Sequence, residues 1–321
     1  MNILKRINKI PGGLMVVPLF LAAGINTFFP NALKIGSMTS ALFSPAGIGT
    51  LIGAALFFTG TQLKIKEAPE IIKRGGVLLI AKFLAGFLLG LLVEKVFGEA
   101  GLFGISTLAI FSAVTNSNAG MYVALAAEYG DEKDIGAVSL LALNDGPFLT
   151  MIAIGASGAA HIPLMSIFAT ILPMLIGVIL GNLDHDISDF FKPGIMIMVP
   201  MFSFALGSSI NYTQIIVAGP TGLLLGALTL VVSGGIAILA DRFINKRPGY
   251  AGAAVSTAAA NSVATPATIA VVVPAFADIV PVATAQIAAA VIFTAIVSPF
   301  FTAFIARKYG CPKMAKNETT V

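Results

Sequence analysis

The sequence predicts an all-α polytopic membrane protein with ten transmembrane helices, arranged as two inverted five-helix repeats. Three observations lead to this fold class: an apolar composition, basic residues placed between apolar stretches, and an internal repeat. Of the 321 residues, 57% are hydrophobic and 11% are charged, and the mean hydropathy is +0.95. Soluble domains carry roughly 25% charged residues. A chain this apolar is expected to fold in lipid.

Ten apolar stretches approach the length that a bilayer requires, since a hydrocarbon core of about 30 Å needs about 20 helical residues. Each is bounded by charges or by clusters of Pro, Gly and Asn. The predicted spans cover residues 14–29, 45–63, 76–97, 103–127, 134–159, 163–181, 194–210, 219–243, 250–273 and 282–306.

The distribution of Lys and Arg tests this arrangement independently, because cytoplasmic loops of helical membrane proteins carry most basic residues. With the N-terminus inside, 16 of the 19 Lys and Arg residues fall in predicted cytoplasmic segments, Lys34 and Lys95 fall outside, and Lys82 lies within the third span. Both termini are therefore expected in the cytoplasm. A basic start before an apolar run is also typical of a signal peptide. Its removal would leave nine spans, so a first transmembrane span is favoured.

The two halves of the chain are related by a repeat with a shift near 147 residues, which matches Gly60 with Gly207. The first repeat is expected over residues 1–160 and the second over 161–321. Since each holds five spans, an odd number, the second repeat is inverted relative to the first. Inverted repeats are typical of secondary transporters.

The fourth and ninth spans are each interrupted by polar residues. Gly120 and Pro266 accompany these clusters and are expected to break the two helices. A broken helix at mid-membrane persists where it lines a polar cavity or is buried in protein, because unpaired backbone groups are costly in hydrocarbon. The polar residues are Ser112, Thr115, Asn116, Ser117 and Asn118 in the first cluster and Ser256, Thr257, Asn261, Ser262 and Thr265 in the second.

These two clusters form the candidate substrate site. The N-terminal ends of half-helices offer free amides and partial positive charge, which suit a carboxylate, and the side chains can bond hydroxyls. An anionic polyol fits this chemistry. Polar residues also hold membrane helices together, but two matching clusters, each beside a helix breaker, favour a site. The residues predicted to bind substrate are Thr115, Asn116, Ser117, Asn118, Asn261, Ser262 and Thr265.

Two ionisable residues lie deep in the predicted spans. Asp145 is near the centre of span 5, where a functional role is the default expectation. Burial raises a carboxyl pKa, so Asp145 is predicted to carry a coupling proton, with Asn144 beside it. The alternative is a carboxyl paired with Lys82 or with backbone amides for stability alone. Lys82 lies near the inner end of span 3, and its stem is expected to reach the interface.

Other function classes find little support. The basic residues form no stripe interleaved with aromatics, which argues against nucleic acid, and no obligatory protein partner is indicated. The sequence carries no zinc-peptidase, nucleophile-elbow, phosphate-loop or dinucleotide motif, so neither enzyme activity nor a cofactor is expected. The acidic residues around His185 could be read as a metal site, but a solvated loop is favoured.

Five short segments, at residues 10–13, 17–21, 181–184, 204–207 and 264–266, read IPGG, VPLFL, GNLD, FALG and ATP. Together, and in this order, they closely resemble the bacterial 2-keto-3-deoxygluconate permease family over nearly the whole chain. The resemblance implies proton-coupled uptake of 2-keto-3-deoxygluconate across the bacterial inner membrane. The implied partners are this small sugar acid and membrane lipid.

The resemblance also implies the fold shared by bile-acid symporters and sodium/proton antiporters. In that fold a panel domain, here spans 1, 2, 6 and 7, moves against a core domain, here spans 3–5 and 8–10. The broken spans 4 and 9 cross within the core. In some antiporters of this fold an Asn-Asp pair binds the ion, and Asn144-Asp145 resembles it. Thr115 to Asn118 are all neutral, which argues against a second proton carrier in the first break.

Two rival functions follow from the same residues. One is a sodium-coupled symporter of another small organic anion on the same fold, since neutral oxygens with one carboxylate also bind Na⁺. The other is a channel or structural membrane protein without coupled transport, against which the inverted repeat argues. Asn26, Thr59, Thr61 and Gln62 of the panel are further candidates to complete a substrate cavity.

Overall fold

The computed structural model describes residues 2–7, 13–64, 69–98, 101–144, 146–208 and 211–313. Regular structure in these ranges is helical, apart from an isolated bridge that pairs Leu102 with Ile105. The α-helices are α1 (Ile3–Ile7), α2 (Gly13–Phe28), α3 (Ser37–Phe43), α4 (Ile48–Gln62), α5 (Pro69–Phe97), α6 (Thr107–Thr115), α7 (Ala119–Tyr129), α8 (Glu132–Gly136), α9 (Val138–Leu141), α10 (Pro147–Ser157), α11 (Leu164–Leu183), α12 (His185–Phe191), α13 (Gly194–Gly207), α14 (Tyr212–Leu228), α15 (Gly234–Phe243), α16 (Tyr250–Ala254), α17 (Thr265–Val272) and α18 (Val280–Tyr309).

Shorter helical turns join several of these elements. A π-helical turn connects α14 to α15, and 3₁₀ turns precede α4, α10, α17 and α18. Their bounds are Thr229–Ser233 for the π turn and Pro45–Gly47, Ala142–Asn144, Ala260–Ala264 and Pro274–Ile279 for the 3₁₀ turns. His185, predicted in a solvated loop, begins α12, and Asp184 caps that helix by accepting a hydrogen bond from the amide of Asp186.

Every predicted span overlaps a helix or a run of helices. By length and apolarity, four segments of the described chain can cross a bilayer alone: Pro69–Phe97, Leu164–Leu183, Ile215–Phe243 and Pro274–Tyr309. Three bent helix pairs would raise this number to seven if each forms one span. The structure therefore indicates a multi-pass helical membrane protein. The count of ten crossings and the inverted repeat remain predictions.

Helix α5 divides its surface between lipid and protein. Large apolar side chains spaced by four residues, Ile80, Leu84, Leu88 and Leu92, are exposed. The buried face includes several small residues, among them Gly86 and Gly90. Lys82 lies on the same face, since it is aligned with these two glycines at a spacing of four residues. A Cβ added at Gly86 would lie 2.5 Å from the backbone nitrogen of Thr115, so α6 approaches α5 as closely as glycine allows. Small residues commonly permit such approach in membrane helix pairs.

The helices pack in two sets. Helix α11 packs on α4, and α13 packs on α2 and α4. In the second set α5 contacts α6 and α15, α16 contacts α15 and α18, and α14 lies along α18. Gly60 and Gly207, which the predicted repeat would pair, both lie in the first set. A Cβ at Gly60 would come within 2.1 Å of the Met174 carbonyl oxygen, and one at Gly207 within 2.2 Å of that of Leu19.

Spans 4 and 9 are interrupted in the structure. Helix α6 ends at Thr115 and α7 begins at Ala119, so residues 116–118 form the first break. Helix α16 ends at Ala254, and residues 255–259 form the second break before the 3₁₀ turn that leads into α17. Pro266 lies in the first turn of α17, where its missing N–H costs no intrahelical bond, so it does not itself end α16.

Candidate functional site

Two asparagines, Asn144 and Asn116, hold the first break, and the side chain of each both donates and accepts a hydrogen bond there. Asn144 donates to the Thr115 carbonyl at 3.2 Å and accepts from the Ser117 hydroxyl at 2.8 Å. Asn116 donates to the Ser112 carbonyl at 2.7 Å and accepts from the Gly146 amide at 3.1 Å. These bonds satisfy backbone groups that the helix leaves unpaired, which is the condition for a break in a buried helix.

Thr150 of α10 adds a bond that the sequence analysis missed. Its hydroxyl lies 2.9 Å from the Thr115 hydroxyl and accepts from the Asn116 amide group at 3.0 Å. The Thr115 hydroxyl also donates to the Phe111 carbonyl at 2.7 Å. Thr150 is fully buried, so its hydroxyl depends on these partners. The sequence signal for Thr150 was a hydroxyl residue within the apolar stretch that follows Asn144.

Exposure separates the residues of the first cluster into two groups. Thr115, Asn116, Ser117 and Asn144 have no exposed surface and are bonded within the protein. Asn118 is partly exposed and caps the N-terminus of α7, where its side chain accepts a hydrogen bond from the Met121 amide at 3.0 Å. The start of α7 is therefore the part of this break that is open to its surroundings.

The second break is also bonded internally. The Ala258 amide donates to the Thr294 hydroxyl at 3.1 Å, and the Ser262 hydroxyl donates to the Ala259 carbonyl at 2.6 Å. Thr265, at the start of α17, is fully buried, and its hydroxyl has no hydrogen-bond partner among the described residues. The start of α17 therefore holds a buried hydroxyl that nothing in the described chain satisfies, one of several such hydroxyls in the structure.

The two breaks meet through a hydrogen bond. The backbone amide of Asn118 donates to the Thr257 hydroxyl at 2.9 Å. Lys82 lies at the same junction, where its ammonium group donates to the Thr257 carbonyl at 2.9 Å and to the Ser233 hydroxyl at 2.8 Å. Lys82 is fully buried, so the expectation that its stem reaches the interface was wrong. Its spacing from Gly86 and Gly90 was the sequence signal that it faces the protein.

A small cavity connects the second cluster with the segment that follows Asn144. Asn261 and Ala264 line it together with Gly146, Pro147 and Thr59. Asn261 is partly exposed, whereas Ser262 beside it is buried. Thr59 is thus the one of the four panel candidates found here, while the Gln62 side chain donates to the Ser188 carbonyl at 2.8 Å.

A larger cavity of about 850 Å³ lies beside this small one. It is bounded by α4, α11, α17 and the 3₁₀ turn before α18, and its few polar side chains are Ser166, Thr170 and Thr268. Ile52 and Leu56 line both cavities and so stand between them. The residues that line the larger cavity lie toward those ends of their spans that the distribution of Lys and Arg predicts on the outer side of the membrane.

Asp145, predicted to carry the proton, lies outside the described residues. Its neighbours are described: Asn144 bonds to the first break, and Gly146 lines the cavity that Asn261 shares. Within the described chain, no three His, Cys, Asp or Glu residues come together as metal ligands.

An ionic cluster, formed by Arg74, Asp131, Asp134, Arg247 and Tyr250, was missed by the sequence analysis. Arg74 bonds to both aspartates at 2.7 Å, and Arg247 bonds to them at 3.1 and 2.6 Å. The Tyr250 hydroxyl donates to Asp134 at 2.5 Å. The cluster ties α5 and the start of α16 to α8, so three elements around the two breaks are joined at one end.

The ionic cluster lowers the pKa of Asp131. Partial burial alone would raise its pKa, but hydrogen bonds from Arg74 and the Asp134 amide, together with the charge of Arg247, lower the pKa of Asp131 to about 2. The carboxylate therefore stays charged to a lower pH than an ordinary aspartate does, and it bonds to both guanidinium groups.

Comparison with known proteins identifies the relatives of this chain. The family model described as 2-keto-3-deoxygluconate permease matches residues 4–311. The chain is 48% identical over 308 residues to 2-keto-3-deoxygluconate permease 1 of Salmonella typhimurium, covering 96% of each protein. It is 37% identical over 323 residues to the 2-keto-3-deoxygluconate permease of Tolumonas auensis, covering 99% of this chain and 96% of the relative.

A more distant relative shows the same kinship. The 2-keto-3-deoxygluconate permease of Bacillus subtilis is 35% identical over 269 residues, which is 82% of this chain and 81% of that protein. These names describe a transporter and not an enzyme, which agrees with the apolar helices of a multi-pass membrane protein. The chain belongs to the 2-keto-3-deoxygluconate permease family.

Proposed function

We propose that this protein is a secondary active transporter that takes up 2-keto-3-deoxygluconate together with protons across the bacterial inner membrane. The observation that carries the proposal is the junction of two broken helices, joined by the Asn118–Thr257 hydrogen bond, together with a small cavity that Asn261 lines at the second cluster. Broken helices of this kind serve as substrate sites in transporters of several folds. The substrate follows from the names of the relatives.

The substrate carboxylate binds at a half-helix N-terminus. Asn118, partly exposed at the start of α7, is accessible to the carboxylate in this conformation. The Thr265 hydroxyl at the start of α17 has no partner among the described residues but is fully buried, so it becomes accessible to substrate only when the panel moves. Asn261, which lines the small cavity, meets hydroxyl groups of the sugar acid. A group at a helix N-terminus gains from both the free amides and the helix dipole.

The other predicted substrate residues act on the breaks themselves. Thr115, Asn116, Ser117 and Ser262 are fully buried and bonded within the protein, so their role is to hold the unwound backbone in place. Rigid support of this kind keeps a binding site from losing affinity to disorder.

Asp145 carries the coupling proton, and no cofactor other than this ion is needed. Support comes from its two neighbours: Asn144 bonds to the first break and Gly146 lines the cavity with Asn261. A carboxyl group whose surroundings change when access to the cavity changes also changes its proton affinity.

Alternating access arises from movement of the panel, with α2, α4, α11 and α13, against the core that holds the two breaks. The packing of the helices in two sets supports this division. With both termini in the cytoplasm, the cavity of about 850 Å³ between α4, α11 and α17 faces outward and serves as the entry route for substrate. Lipid surrounds the helices, and neither nucleic acid nor a partner protein takes part.

Uptake of labelled 2-keto-3-deoxygluconate into proteoliposomes tests the proposal. An inward proton gradient in sodium-free buffer should drive accumulation by the wild type, and Asp145→Asn should abolish the gradient-driven part. Accumulation that requires sodium would favour a sodium-coupled symporter instead. Equal uptake with and without any gradient would favour a channel.

A further inference from the structure

Lys82 presents an unusual electrostatic situation. Its ammonium group is fully buried, and its partners within the described chain are the Ser233 hydroxyl and the Thr257 carbonyl, both neutral. The salt bridges among the described residues do not include it. Burying a cation whose described partners are all neutral is costly, so such a residue in a membrane helix is expected to serve a function.

The surroundings of Lys82 are suited to hold a positive charge. The Thr257 carbonyl lies in the second break, three residues beyond the end of α16, and its oxygen carries the partial negative charge of any peptide carbonyl. Ser233 ends the π turn, and its hydroxyl donates to the Thr229 carbonyl at 2.5 Å, which turns its oxygen lone pairs toward Lys82. π turns often occur at functional sites because they redirect side chains.

Lys82 is also coupled to the start of α7. Thr257 accepts from Lys82 through its carbonyl oxygen and from the Asn118 amide through its hydroxyl. Thr257 therefore connects the Lys82 ammonium group, through two hydrogen bonds, to the N-terminus of α7, which is the open part of the first break. Its positive potential adds to that of the α7 dipole at this point.

We propose that Lys82 is a positioning residue that makes the junction of the two breaks selective for an anion. Its buried charge favours a carboxylate at the half-helix N-termini, and its bond to Thr257 fixes the two breaks relative to each other. Lys82 does not touch the substrate, because its side chain is fully buried. The inference rests on the proposed function, in which the junction binds a sugar acid.

The test compares the KM and maximal rate of 2-keto-3-deoxygluconate uptake in Lys82→Met, Lys82→Arg and wild type. A unit charge about 10 Å from a carboxylate, at an effective dielectric constant of about 20, changes affinity by roughly tenfold. Lys82→Met should raise KM by about this factor. Lys82→Arg, which keeps the positive charge, should have a KM close to that of the wild type. Lys73→Met removes an exposed charge from the same helix and should leave KM within about twofold.

Several outcomes separate the possibilities. A folded Lys82→Met protein with unchanged KM overturns the role of Lys82. If that variant does not fold, Lys82→Gln, which keeps a donor for Ser233 and Thr257, carries the same prediction and the same refutation. A loss of maximal rate alone, with KM unchanged in a folded neutral variant, also overturns it. Failure of the wild type to take up the sugar acid refutes the proposed function, and the inference with it.

Discussion

The contact between α5 and the first break can be tested by adding one methyl group. In Gly86→Ala the new Cβ would lie 2.5 Å from both the Thr115 nitrogen and its Cγ2, and 2.8 Å from its Cα. Two of these atoms belong to the backbone, so a side-chain rotation cannot relieve the clash. Overpacking of this kind costs about 1–3 kcal/mol. Alanine returns about 1 kcal/mol through its helix propensity.

Gly76→Ala provides the matched control on the same helix. A Cβ at Gly76 would meet nothing within 4 Å, so this variant gains helix propensity without a clash. Thermal unfolding in detergent and uptake in proteoliposomes measure both effects. Gly86→Ala should lower the unfolding temperature and reduce uptake by roughly tenfold, because Thr115 and Asn116 are displaced. Equal unfolding temperatures and equal uptake for the two variants would refute this account of the first break.

Three further predictions concern the ionic cluster and the first break. Asp134→Asn should destabilise the protein by about 3–5 kcal/mol in denaturant unfolding, because Arg74 and Arg247 lose a buried carboxylate. Glu132→Gln, at an exposed position of the same helix, should change the stability little. Similar losses of stability in the two variants would contradict the role of the cluster. The Asp131 pKa, about 2 in the folded protein, lies below the ordinary value of 3.8, so its stabilising effect is present above about pH 4 and is lost as the pH falls toward 2. An Asp131→Asn variant that loses stability over this range as steeply as wild type would exclude this residue as the cause. Thr150→Val should cost about 1 kcal/mol and reduce uptake, because it removes one hydrogen-bond partner from the Thr115 hydroxyl and one from the Asn116 amide group, which keep their bonds to the Phe111 and Ser112 carbonyls. Exposed Thr213→Val is its control, and an equal effect of both substitutions would argue against the bond.

Local chemistry made the positions of the helices and their breaks predictable. Apolar stretches of bilayer length and clusters of Asn, Ser and Thr are visible within a few residues, and the breaks at 116–118 and 255–259 lie inside those clusters. The role of Pro266 was less accessible. A proline both interrupts a helix and starts one well, and only the path of the chain distinguishes the two.

The hydrogen-bond and ion-pair partners of individual side chains could not be predicted from the sequence. The sequence predicted Asn116 as a substrate ligand and Asn144 as part of the proton site, and it could not show the hydrogen bonds that both make across the first break. Lys82 was misjudged because depth along a helix was considered without the face on which it lies. The ionic cluster was missed because Arg74 and Arg247 are far apart in the chain and meet only through folding.

Proton movement that accompanies the sugar acid tests the central claim most directly. Proteoliposomes in sodium-free buffer, loaded with a pH indicator and given no imposed pH gradient, would receive 2-keto-3-deoxygluconate from outside. Internal acidification that depends on the substrate and disappears in Asp145→Asn is the predicted result. Entry of labelled substrate without acidification, in the same vesicles, would contradict proton coupling through this site.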